Sequence, residues 1–251
     1  MSGHATLVTG GGSGLGRLIA EALARGGATV VVADIDGDAA KETVQRITDE
    51  GGSAVPVAGD VTRVADVQAM VRAAAEAGPL RVLVLSAAVE VRKSVVDCTD
   101  EEWQRVIDTN LKGPFLCMRE AIPLMRGGGS VIALGSVLGL MAAPGFPAYT
   151  ASKGALVNLC KQAAIEHAAD GIRVNVVAPS ATDTGLFMKT ASRSPDPEEV
   201  KRRVAAGSPM GRLGYGREVV DTVVFLASDA ASYISGTVIP VDGGAAARRV
   251  V

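Results

Sequence analysis

Tyr149 and Lys153 stand four residues apart in the run Tyr149-Thr150-Ala151-Ser152-Lys153, and Ser136 lies thirteen residues upstream. On a helix, positions i and i+4 share a face, which places the ammonium beside the phenol. A phenol, with a pKa of about 10, is a poor base near neutrality. A neighbouring cation favours the phenolate and lowers that pKa. The expected result is a group that exchanges a proton with an alcohol or a carbonyl. The same spacing is common on solvated helix faces, so its meaning depends on what else the chain supplies.

A second constellation lies near the amino terminus. Thr9-Gly10-Gly11-Gly12-Ser13-Gly14-Leu15-Gly16 follows the strand-like run Ala5–Thr9 and opens the helix-like stretch Leu15–Arg25. Glycines here let the backbone turn tightly and approach a pyrophosphate, while the helix start offers free N–H groups to the anion. Gly10, Ser13, Gly14, Leu15 and Gly16 are therefore candidate cofactor contacts. Asp34 ends the next strand-like run, eighteen residues after Gly16, and Ile35 follows it. A carboxylate there accepts hydrogen bonds from a ribose 2′-OH and repels a 2′-phosphate, which favours NAD over NADP. No Arg or Lys stands between Gly10 and Gly16 to receive such a phosphate.

The elements that must position these residues alternate along the chain. Strand-like runs at Thr29–Ala33, Ala54–Ala58, Val82–Leu85, Ser130–Leu134, Arg173–Ala178 and Thr237–Val241 are separated by helical stretches. Those stretches include Ala39–Glu50, Val64–Glu76, Glu101–Met125, Tyr149–Ala169 and Glu218–Ala227. Thr99-Asp100-Glu101-Glu102 reads as a capping box. Continuous apolar strands alternating with helices predict a parallel sheet buried on both faces. The expected fold is a single-domain α/β, Rossmann-type doubly wound sheet over residues 1–251. The segment 180–215 is rich in Pro, Gly and Ser and is expected to be an irregular, mobile flap.

Composition narrows the partners. Hydrophobic residues make up 48% of 251 and aromatics only 3%, so aliphatic side chains must build the core. A formal charge of −2 gives no electrostatic case for nucleic acid. Cys98, Cys117 and Cys160 lack metal-site spacing and read as inert thiols in a reducing, cytoplasmic setting. With His4 and His167 the only histidines, no metal site is expected. No apolar run is long enough to span a membrane. A mostly apolar mouth, drawn from residues such as Leu138, Phe146, Leu186 and Phe187, suits a secondary alcohol or ketone with some hydrocarbon bulk. Glu90 and Arg92 beside it read as solvated surface charges.

Together these residues resemble the short-chain dehydrogenase/reductase family over nearly the whole chain. Thr9–Gly16 is similar to its Thr-Gly-x-x-x-Gly-x-Gly turn, and Asp60-Val61 to the acidic dipeptide that contacts adenine. Asn110, Ser136, Tyr149 and Lys153 match its catalytic residues. Pro179 and Thr184 match the segment that holds the nicotinamide carboxamide. The family usually carries Asn-Asn-Ala-Gly after the fourth strand; here the register reads Leu85-Ser86-Ala87-Ala88, with Ser86, Ala87 and Ala88 as the expected cofactor contacts. A methyl on Ala88 is disfavoured if that position needs positive φ.

The resemblance implies NAD-dependent hydride transfer between a secondary alcohol and a ketone, with Tyr149 as acid/base. It further implies that Lys153 lowers the Tyr149 pKa and that both residues contact the cofactor. Ser136 would bond the carbonyl oxygen, and Asn110 would link Lys153 to solvent. A homotetramer or homodimer is expected, with Glu101–Met125 and Tyr149–Ala169 at the interface and the tail Arg248–Val251 either against a neighbouring subunit or disordered. Two other readings stand beside this one: an NADPH-dependent carbonyl or 3-oxoacyl reductase, and a catalytically idle dinucleotide-binding sensor.

Overall fold

A computed structural model describes residues 3–192 and 194–247 of the chain. The tail Arg248–Val251 lies outside the described residues, as does the Leu186 side chain. Seven strands form one parallel sheet: β1 (Ala5–Thr9), β2 (Thr29–Asp34), β3 (Ser53–Ala58), β4 (Leu80–Leu85), β5 (Gly129–Leu134), β6 (Ile172–Pro179) and β7 (Val238–Val241). Their order is β3-β2-β1-β4-β5-β6-β7. The chain therefore runs outward one way from β1 to β3, then returns and runs the other way from β4. The crevice above β1 and β4 is the point of reversal, where open parallel sheets bind ligands.

Side chains alternate across this sheet, and each face is covered. Leu7, Val31, Leu83, Val131 and Val174 face one layer, made by α3 (Val64–Glu76), α5 (Gly113–Ala121) and α6 (Pro147–Glu166). Val8, Val30, Val32, Val84 and Ile132 face the other, made by α1 (Gly14–Arg25), α2 (Gly37–Asp49) and α9 (Gly216–Ala227). Only β3 is largely exposed, and it is an edge strand that tolerates Pro56 without an N–H. No helix among the described residues is long and apolar enough to cross a membrane.

Two stretches depart from expectation. The helical stretch over Glu101–Met125 is not continuous. It divides into α4 (Asp100–Ile107), a π-helical turn over Asp108–Lys112 and α5, with a 3₁₀ turn at Ile122–Leu124. Asn110 sits in the π turn, its side chain engaged elsewhere, and Pro114 then opens α5 where a missing N–H is harmless. The segment 180–215 is not irregular: it holds α7 (Gly185–Ala191) and α8 (Pro197–Gly207). Asp196 caps α8 by accepting from the Glu199 N–H, Pro197 occupies its first turn, and Glu198 and Glu199 favour its amino-terminal end.

Candidate active site

The carboxyl ends of the strands carry the expected site. Tyr149 and Lys153 lie on the first turns of α6. Lys153 is buried, and its Nζ donates to the Leu134 carbonyl at 2.7 Å, at the end of β5. Ser136, two residues beyond β5, is also buried and accepts from the Leu138 N–H at 3.1 Å. The Lys153 ammonium lies 5.6 Å from the centroid of the Tyr149 ring. The structure therefore brings Ser136, Tyr149 and Lys153 to one place.

Their proton affinities differ from the expectation. Burial pushes the Tyr149 phenol up to about 12, the Glu90 carboxylate pushes it the same way, and the Ser136 hydroxyl draws it down. Burial also lowers Lys153 to about 8. Removing the phenolate from water sets the direction, and the Lys153 ammonium, itself desolvated and held on a carbonyl, does not reverse it. The expected lowering of Tyr149 by Lys153 is thus not realised by these residues alone.

Asn110 is fully buried and acts through neither Lys153 nor Tyr149 directly. Its Oδ1 accepts from the Val89 N–H at 2.8 Å, and its Nδ2 donates to the Val89 carbonyl at 2.9 Å and to Ser152 Oγ at 3.2 Å. Ser152 in turn donates to the Tyr149 carbonyl at 2.8 Å. Asn110 and Ser152 therefore tie the segment after β4 to the helix that bears the phenol. Ser152 lies within the quoted Tyr-Lys spacing, but nothing in that spacing marks it as a partner of residue 110.

The glycine turn fits a dinucleotide. Gly10 has φ +66°, and a Cβ there would lie 2.8 Å from Ala87 Cα. Gly14 has φ +54°, and its Cβ would lie 2.8 Å from Gly185 Cα on α7. Side chains at either point would fill the cradle. Ser13 precedes α1 without a side-chain cap, which leaves first-turn N–H groups for an anion. Asp34 closes the turn: Oδ2 accepts from the Gly12 N–H at 2.9 Å and Oδ1 from Asp36 N–H at 3.0 Å. Ile35 beside it is 73% exposed, an apolar surface suited to a flat base. Asp60 Oδ1 accepts from the Thr62 N–H at 2.8 Å, and Val61 is buried against Gly113.

The unusual end of β4 is braced by Thr9, which opens the glycine motif but is not among the candidate contacts. Thr9 Oγ1 donates to the Val84 carbonyl at 3.4 Å and accepts from the Ser86 and Ala87 N–H groups at 3.2 and 3.4 Å. Ala88 has no positive φ, so its methyl carries no backbone strain. Pro179 ends β6, and Thr184 precedes α7 with Oγ1 3.4 Å from that of Thr182.

Glu90 differs most from its reading as a solvated surface charge. It is half-buried, raises the Tyr149 pKa, and accepts a short hydrogen bond from Thr190 on α7. A separate cleft of about 770 Å³ opens at the amino-terminal end of the strands, lined by His4, Arg81, Arg173 and Tyr233. It holds none of the residues above. No group of three or more His, Cys, Asp or Glu able to hold a metal occurs among the described residues.

Comparison with known proteins agrees with this fold. A family model described as enoyl-(acyl carrier protein) reductase matches residues 10–246. A short chain dehydrogenase/reductase of Aspergillus oryzae is 37% identical over 250 residues, covering 97% of this chain and 95% of that protein. The chain belongs to the short-chain dehydrogenase/reductase family. Within it, the cis-4-hydroxycyclohexanecarboxylate dehydrogenase of Sinomonas cyclohexanicum is 39% identical over 242 residues, 95% of this chain and 94% of that one. The crystal structure of levodione reductase superimposes with a TM-score of 0.95 at 30% identity, covering 99% of this chain and 100% of the other. This short-chain dehydrogenase/reductase is an oxidoreductase of alcohol groups.

Proposed function

We propose that this enzyme interconverts a secondary alcohol and a ketone with NAD(H), using Tyr149 as the proton-transfer group. The convergence of Ser136, Tyr149 and Lys153 at the carboxyl end of β5, one strand from the β1–β4 reversal, carries this reading. A bound nicotinamide dinucleotide supplies the hydride donor or acceptor. Every other step belongs to the chain. Ser136 donates a hydrogen bond to the substrate oxygen, where negative charge develops during reduction. Tyr149, with a pKa near 12, holds its proton at neutrality and delivers it to that oxygen. An alkoxide is far more basic than a phenolate, so the transfer runs downhill. In oxidation the same group must stand as phenolate to accept the proton, which requires added positive charge beside it. Lys153 supplies part of that charge, and the ammonium hydrogens not spent on the Leu134 carbonyl would hold ribose hydroxyls.

The preference for NAD rests on Asp34, whose carboxylate already lies across the glycine turn. Arg17 is the nearest cation to the turn, and it is not free for a phosphate. Its guanidinium donates to the Gly12 carbonyl and pairs with Glu42 at 2.8 Å. This arrangement argues against the NADPH-dependent alternative. Trp103, Phe115 and Ile165 are exposed on α4, α5 and α6 and support self-association through those helices.

The deciding experiment follows NADH production with a panel of secondary alcohols, beside fluorescence titrations with NADH and NADPH. Turnover with NAD and tighter NADH binding are expected. Binding without turnover of any alcohol or ketone would favour the idle sensor; tighter NADPH binding would refute the reading of Asp34.

A further inference from the structure

Glu90 is the charged group nearest the reacting centre to which the proton chemistry gives no task. It follows β4, half-buried, between the apolar Val89 and Val91. Its Oε1 accepts from Thr190 Oγ1, a residue one hundred positions away on α7. The other carboxylate oxygen has no hydrogen-bond partner among the described residues, and no described cation forms an ion pair with it. Arg92, two residues on, instead stacks over the Phe146 ring at 5.4 Å. The carboxylate is thus held by the flap on one oxygen and left open on the other, on a segment whose Val89 and Val91 pack in the same apolar cluster as Tyr149, and its charge opposes ionisation of that phenol.

A negative charge there works against the phenolate, so it hinders the base and only reinforces the hold on a proton that burial already keeps on the acid. What it does supply is a strong acceptor on the segment that packs against Tyr149, at the mouth through which a substrate must reach the phenol. An ionised acceptor recognises hydrogen-bond donors and repels anions.

We propose that Glu90 is a specificity-determining residue, whose carboxylate accepts a hydrogen bond from a second hydroxyl near the carbinol carbon and so selects diols or polyols over matched hydroxy acids. Thr190 orients it. The inference rests on the alcohol–ketone reading above. It goes beyond that reading by naming the substrate class.

The test compares cyclohexane-1,2-diol, cyclohexanol and 2-hydroxycyclohexanecarboxylate as substrates, with kcat/KM measured for the parent enzyme, Glu90→Gln and Thr190→Val. NADH binding is titrated in each to show that fold and cofactor site are kept. A hydrogen bond to a charged acceptor leads to a parent preference for the diol over cyclohexanol on the order of ten-fold or more. In Glu90→Gln that ratio should fall several-fold, and the hydroxy acid should gain about ten-fold relative to the diol. Thr190→Val should shift both ratios the same way by less. Equal ratios in parent and Glu90→Gln, with turnover intact, would overturn the role of Glu90 and leave the alcohol–ketone reading standing. A parent enzyme that prefers the hydroxy acid would overturn it too. If the parent turned over none of these, nor any other alcohol or ketone, with either cofactor, the underlying reading would fall and this one with it.

Discussion

The Lys153 ammonium stands 5.6 Å from the Tyr149 ring centroid, yet the phenol beside it is harder to ionise than a free one. Burial sets the sign, and Glu90 adds to it. The pair is therefore poised as a proton donor. Base chemistry needs further positive charge in the same crevice. Removing the hydroxyl should remove the chemistry and little else. Tyr149→Phe is expected to lower turnover by about 10²–10⁴-fold, the usual contribution of a positioned acid or base. NADH affinity should change by a few-fold at most, because the glycine turn and Asp34 are untouched. Parallel rate and fluorescence measurements check both halves, and near-normal activity would remove Tyr149 from the mechanism.

Much of this site was legible because its parts are local. Tyr149 and Lys153 are one helical turn apart, the glycines are contiguous, and Asp34 ends a strand that reads as one. What stayed hidden joins residues far apart in the chain. Asn110 meets Val89 and Ser152, and Glu90 meets Thr190, through contacts that only the folded sheet creates. The flap misled for a different reason. Its prolines and serines read as loop formers, but Pro197 and Asp196 are there to start a helix. The sign of the Tyr149 shift was out of reach as well, since depth of burial is not a property of spacing.

Asn110 gives a prediction about position rather than chemistry. Asn110→Ala would leave the half-buried Val89 N–H and carbonyl without their partner and free Ser152 from the π turn. The expected loss is about 2–3 kcal/mol of stability, or a fall in Tm of roughly 5–10 °C for a chain of this size. Because Ser152 bonds the Tyr149 carbonyl, kcat should fall more than KM rises. Calorimetry with steady-state kinetics tests this, and Asn110→Asp should recover part of the stability, since it keeps an acceptor for the Val89 N–H.

Asp34 makes the choice of cofactor testable in both directions. Asp34→Ala removes the charge that would repel a 2′-phosphate and the acceptor for a ribose hydroxyl. NADH binding should weaken about ten-fold, a change near 1.4 kcal/mol, and the gap to NADPH should narrow by at least as much. The Gly12 N–H also loses its partner, so the turn itself will be looser and neither cofactor should bind as tightly as NADH binds the parent. Titrations of both cofactors against both proteins decide it; an unchanged ratio would mean that Asp34 only shapes the turn.

The far end of the flap is held by a pair whose strength depends on pH. Glu218 accepts from Arg212 at 2.7 and 2.9 Å and from the Tyr215 N–H at 2.8 Å, clamping the chain that leaves α8 to the first turn of α9. Arg212 and the Tyr215 amide hold its carboxyl down to about 2, below the ordinary 4.5. A depressed folded-state pKa means that the unfolded chain takes up the proton first as pH falls. The contribution to stability is thus complete above about 4.5 and is lost progressively towards 2. The pair is about a third exposed, so solvent and salt screen it and its absolute worth is small. Glu218→Gln should therefore melt below the parent at pH 7, and the two melting temperatures should converge as pH drops from 5 towards 3. The clamp also reaches the substrate side, because Gly216 N–H donates to Asp183 and Thr182 bridges Gly214. The variant should accordingly show a raised KM with little change in kcat at neutral pH. A pH-independent gap in Tm between parent and variant would show that the Glu218 carboxylate does not hold the flap by its charge.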